Sequence, residues 1–157
     1  MGFVVIFVVA WLAFFIFYSM NKSLSVLENS FIYLTVMVIG INISWVVIEE
    51  LKLIELTKEG WLYAAFFLYR SMIKPTIVLI MFNVIYKVKS TSITLLSIGI
   101  TMVIILALNG VLRFYDIWSY TRWNVFYDIL QIVVIQSIAF ALFTLYRRST
   151  HREVKAS

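Results

Sequence analysis

The sequence contains no cysteine, one proline, one histidine and five glycines. Each shortage excludes a class of chemistry. Without cysteine there is no disulfide, no thiolate nucleophile and no thiolate metal site. The lone histidine, His151, lies in the charged C-terminal tail. That position rules out buried bis-histidine haem ligation and leaves no histidine-rich metal site. Charge is scarce too: 13% of residues are charged, against about 25% in soluble domains. The eight acidic residues are scattered, which does not suit a carboxylate metal cluster. There is no Ser–His–Asp set, no HExxH, and no Walker or dinucleotide glycine pattern. The expectation is a protein that is not an enzyme and needs no cofactor.

The chain has instead an excess of apolar residues, 63% of its 157 positions. A water-soluble fold of this size cannot hide that much apolar surface, so lipid is the expected solvent. Five segments approach or exceed the roughly 20 apolar residues needed to cross about 30 Å of hydrocarbon. They lie at about 2–20, 31–48, 62–86, 92–112 and 125–146. The predicted fold is all-α: one polytopic bundle over 1–148, followed by a basic cytoplasmic tail at 149–157. The first segment has no preceding cation and no small-residue cleavage site, so it reads as a retained span. The last ten or so residues are expected to be irregular.

Orientation follows from lysine and arginine in short connections. The tail (Arg147, Arg148, Arg152, Lys155), the third connection (Lys87, Lys89) and the first (Lys22) lie on one side of the membrane. They outnumber Lys52, Lys58, Arg113 and Arg122 on the other. The bias predicts the N-terminus outside and the C-terminus inside a cell membrane. The net charge of +5 belongs to these ends and is not a nucleic-acid signal. The most charged stretch, Glu49–Trp61, alternates charges with leucine and isoleucine. It reads either as a short interfacial helix or as a solvated turn. Trp45, Trp61, Tyr63, Tyr86, Trp118, Tyr120, Trp123 and Tyr146 fall near predicted interfaces, as an anchoring belt does.

The third span holds the main anomaly. Arg70 and Lys74 are four residues apart, on one helical face, and Pro75 follows directly. A cation at mid-span costs roughly 2.5–3.5 kcal/mol on insertion scales. Pro75 is expected to free the Ser71 carbonyl and to kink or interrupt the span. Two readings of the cations stand side by side. Either they belong to a ligand or ion site, or they snorkel or form a structural ion pair. Asp128, at the start of the fifth span, is the natural partner for Arg70, with Gln131 and Gln136 on a broad arc beside it. Glu49 and Glu50 are alternative partners. Glu49 aligns with Asn42 and Thr35, and Asn109 aligns with Thr94, Ser97 and Thr101. Such stripes suggest that these spans face one another. The candidate polar site is therefore Arg70, Lys74, Asp128, Glu49, Gln131 and Asn109.

Several local strings carry a family likeness. They are Leu53–Leu56 (LIEL), Phe67–Pro75 (FLYRSMIKP), Phe82–Asn83, Tyr120–Phe126 (YTRWNVF) and Leu145–Arg148 (LYRR). With a bare first span, this layout resembles a family of small uncharacterised multi-pass membrane proteins of spore-forming Gram-positive bacteria. The resemblance implies a bacterial cell membrane and carries over no active residues. Arg70 and Lys74 depart from the family pattern, which tends to be acidic or apolar there.

Two functions fit these features. The first is an integral membrane protein that acts by association, with a membrane-protein partner or a second copy, as an accessory subunit in an envelope or sporulation process. The second is a small transporter or channel handling an anionic solute around Arg70 and Lys74.

Overall fold

The structure, a computed structural model, describes residues 1–88 and 90–156, with side chains as far as residue 150. Lys89 lies outside the described residues, as do the side chains of His151, Arg152 and Lys155. Helix α1 spans Gly2–Ser19 and α2 spans Val26–Trp45, which continues as a π-turn over Val46–Glu50. Helix α3 (Gly60–Leu68) joins α4 (Lys74–Val88) through a second π-turn at Tyr69–Ile73. Helices α5 (Thr91–Phe114) and α6 (Val125–Ala156) complete the chain. Together they make five helices long and apolar enough to cross a membrane, as the sequence predicts. The last of them does not end at the predicted boundary. It runs on through the tail, where irregular chain was expected.

The α3–α4 span is the axis of the bundle. Of its most apolar stretch 72% is buried, against 22–28% for the other four spans. The outer helices therefore bury one stripe each and present the rest as bare apolar surface. On α1 the buried stripe is Gly2, Ile6, Ala10 and Ala13, while Phe7, Trp11 and Phe15 face outwards. Exposed side chains of that kind require a lipid bilayer around them. Gly2 is needed for its size. A Cβ there would sit 2.9 Å from the Cβ of Tyr115 and 3.2 Å from Leu62.

One end of the bundle carries the connections 51–59 and 115–124. The second-to-third connection, expected to be a helix or a solvated turn, instead holds strand β1 (Ile54–Leu56). It pairs antiparallel with β2 (Trp118–Tyr120), with Ile54 opposite Tyr120 and Leu56 opposite Trp118. The Leu53 carbonyl extends the ladder by accepting from the Thr121 and Arg122 amides at 3.0 and 3.2 Å. Ile54 and Trp118 point into the bundle while Glu55 and Ser119 point away, the period of a half-buried strand. A partner strand from a distant connection, not local helix propensity, decides this conformation. We call this the sheet end.

The opposite, tail end is locked by polar contacts. Ser25 caps α2, donating its amide to Glu28 at 2.8 Å and accepting the Glu28 amide at 3.2 Å. This cap explains why α2 starts earlier than hydropathy alone suggests. Asn83 accepts the amides of Ser23 and Leu24 and donates to Asn29 at 2.7 Å, the last two contacts buried in the bundle. Arg147 pairs with Glu28 at 2.6 Å, so α6 is tied to the start of α2.

Candidate functional site

Two hydrophobic clusters fill the bundle. One, at the tail half, is built on Phe82, Ile105, Ile135 and Phe143. The other, at the sheet half, is built on Ile6, Phe66, Tyr69, Leu112 and Trp118. The second π-turn and Lys74 lie where one gives way to the other.

The π-turn is the local answer to Pro75. The ring displaces the carbonyl four residues back and offers no N–H. The chain widens so that the Lys74 amide donates to the Tyr69 carbonyl, five residues back. The Ser71 carbonyl, freed as predicted, accepts the Tyr33 hydroxyl of α2 at 2.9 Å. The span is thus widened rather than broken, a form common at functional sites in helices.

This geometry buries Lys74 in the bundle and leaves Arg70 half-buried. Lys74 is 8% exposed even without lipid, and its ammonium lies 5.1 Å from the centre of the Tyr69 ring. The Arg70 guanidinium lies 5.2 Å from the Phe66 ring and 5.4 Å from the Phe67 ring. These aromatic faces attract a cation but do not neutralise it. Lys74 is buried here, while Arg70 is half-buried beside the exposed Phe67.

The expected Arg70–Asp128 ion pair is also absent. Asp128 is 1% exposed, and its carboxylate accepts from the Tyr120 hydroxyl and, at 2.8 Å, from the Trp123 indole N–H. Each of its oxygens accepts one of these two bonds. Burial, followed by the hydrogen bond to Asp128 and the charge of that carboxylate, pushes the Tyr120 phenol well above its ordinary value. Tyr120 therefore remains a donor throughout the physiological range. Tyr120 and Trp123 hold a buried carboxylate, where the sequence suggested membrane anchors. Among the described residues the salt bridge formed is Arg147–Glu28, so neither Glu49 nor Glu50 pairs with Arg70.

The remaining candidates divide. Asn109 is buried and accepts the Tyr69 hydroxyl, with its own amide nitrogen unpaired. Gln131 is half-buried and makes no side-chain hydrogen bond among the described residues. Gln136 is 4% exposed with its amide nitrogen unpaired. Five residues separate the two glutamines, about 140° around a helix, so only one can face the axis. On α2, Asn42 is exposed and donates to the Val38 carbonyl of its own helix. Glu49 is exposed on the first π-turn.

Two cavities meet at Arg70. One, of about 280 Å³, opens at the sheet end between α2 and α3 and is lined by Asn42, Trp45, Glu49, Tyr63, Phe66 and Arg70. The other, of about 20 Å³, lies deeper and is lined by Gly40, Arg70, Lys74, Ile105, Ile135 and Gln136. The Nε of Arg70 is buried and unpaired between them. Two cations and an unpaired amide donor around one small space form a site complementary to negative charge.

Comparison with protein-family models, with curated proteins and with solved structures finds no match for this chain. The arrangement of its own side chains is the basis for any functional reading.

Proposed function

We propose that this polytopic membrane protein is a small carrier for an anionic solute, with Arg70 and Lys74 as the binding groups. One observation supports this above the others. Two cations lie on the most buried span of the bundle, and no carboxylate is within ion-pair distance of either among the described residues. Cations inside a membrane span mark ion and substrate pathways by default, because their cost demands a partner. Here the partner is the solute. Access is from the sheet end, through the pocket beside Glu49 and Tyr63. The tail half is closed by Phe82 against Phe140 and Phe143, with ring centres 4.3 and 5.6 Å apart. A site open to one side only is the geometry of a carrier in one of its states, not of a continuous pore. No enzymatic step is part of this reading.

The test is anion flux into proteoliposomes. Arg70→Gln combined with Lys74→Gln should abolish flux while the protein still elutes as a folded species. Unchanged flux in the double variant, or no flux in the wild type, would sink the proposal. The orientation that goes with it places the sheet end outside. A Ser149→Cys variant should then be shielded from impermeant thiol reagents in intact cells, and labelling would reverse the topology.

A second reading, association with another membrane component, rests on a different place. A groove of about 390 Å³ runs along the bundle flank between α1 and α5, floored by Ile77, Ile80 and Met81 of α4. Its lining is almost wholly apolar, as a seat for a partner helix or a second copy would be. A stable oligomer or a co-purifying partner in mild detergent would support it.

A further inference from the structure

The deep cavity limits what the cations can hold. Resting on the carrier reading above, we infer that the solute is a single small anion of halide size, bound between Lys74 and Gln136 and admitted past Arg70 from the sheet-end pocket.

Size comes first. A water-sized particle needs roughly 10–15 Å³ of such space. The cavity offers about 20 Å³, so it takes one particle and not a phosphate, a sulfate or an organic acid. The larger pocket of about 280 Å³ is then a vestibule in which such a particle sheds water before it passes Arg70.

The polar lining comes second. Gln136 is 4% exposed, lines the cavity and has an unpaired amide nitrogen. Lys74 is 8% exposed and lines the same space. Arg70 adds an unpaired Nε. A water molecule would satisfy the amide but leave the charge. An anion satisfies both.

Charge comes third. Asp128 is the carboxylate whose field reaches Lys74, but its oxygens are held by Tyr120 and Trp123. It lines neither cavity, so no carboxylate stands in the deep cavity beside the two cations. Arg113 stands elsewhere, its guanidinium 4.5 Å from the Tyr120 ring, and does not line the cavity. An anion is therefore the partner the deep cavity calls for, and its size limits that anion to one small particle.

Gly40 supplies the decisive variant. It is buried and lines the cavity, yet a Cβ built on it meets no atom within 4 Å. A methyl group there enters empty space. Gly40→Ala also replaces a poor helix former with a good one, so the variant should fold at least as well as the wild type.

The experiment measures the unfolding midpoint of the purified full chain in detergent, at constant ionic strength, with gluconate as the reference anion. A ligand that binds only the folded state raises the midpoint. Chloride, bromide and nitrate should raise it in the wild type, and sulfate and phosphate should not. Gly40→Ala should lose the effect while keeping a gluconate midpoint no lower than wild type. Gln136→Leu should weaken the apparent affinity by about tenfold or more, as expected for a lost hydrogen bond to a charged group. If sulfate or phosphate stabilises as well as chloride and Gly40→Ala retains the effect, the size inference is overturned while the carrier reading survives. If no anion exceeds gluconate in the wild type, the inference fails and the carrier reading loses its support; flux without such binding would then place the solute elsewhere.

Discussion

The Tyr33 hydroxyl donates to the Ser71 carbonyl at 2.9 Å, the acceptor that Pro75 deprives of its helical partner. The bond couples α2 to the widened turn that carries Arg70. Tyr33→Phe should cost about 1 kcal/mol, the net worth of such a bond. In a Pro75→Ala background an N–H returns near that carbonyl, and the cost of Tyr33→Phe should shrink. A double-mutant cycle on unfolding midpoints measures the difference, and additive effects would contradict the coupling.

Asp128 should depend on both its donors. Tyr120→Phe or Trp123→Phe removes one hydrogen bond to a buried charge, which costs roughly 1.5–3 kcal/mol. The pH dependence follows from the raised Tyr120 phenol. An acid whose value is raised on folding contributes stability that is full below its unfolded value, about 10, and is lost as pH rises above it. Wild type should therefore weaken above about pH 10 more steeply than Tyr120→Phe. Equal slopes in a pH series of melting curves would speak against the contact.

Glu49 stands exposed on the pocket that also holds Arg70, on the proposed route of the anion. Glu49→Gln removes a repulsive charge from that route. Initial anion uptake should rise at low ionic strength, and the gain should fade as salt approaches about 1 M, where the screening length falls to about 3 Å. A gain independent of salt would not be electrostatic.

Asn83 joins the first connection to the central helix through Ser23, Leu24 and Asn29. Asn83→Ala leaves buried groups without partners and should cost about 2–4 kcal/mol. Arg147→Ala, at a half-exposed pair, should cost about 1 kcal/mol or less. Its effect should show as faster hydrogen exchange in the last turns of α6 and little change elsewhere.

The five spans were legible because length and apolarity are properties of a contiguous segment. The freed Ser71 carbonyl was legible for the same reason: proline acts within one turn. The strand pair was not, since Leu56 says nothing of Trp118 until the chain has folded between them. The fate of Asp128 was hidden by its neighbours. Tyr120 and Trp123 are amphipathic, and hydropathy cannot tell a ring that anchors in headgroups from one that donates to a buried carboxylate. The cations were found, but the burial of Lys74 depends on the π-turn, which shifts the faces beyond it. Gln136 lay on the arc considered around Asp128, but only three-dimensional packing separates it from Gln131.

The strand pair has a consequence for how the molecule is made. Ile54 leaves the ribosome long before Tyr120, with two membrane spans, Gly60–Val88 and Thr91–Phe114, still to be made between them. Until the segment after α5 emerges, β1 has an unpaired edge and the pocket wall at Leu56 has nothing to hold it in place. Contacts of such long sequence separation form late. Biosynthesis therefore finishes this pocket wall last, and a nascent chain truncated before Trp118 should insert its helices without shaping the pocket.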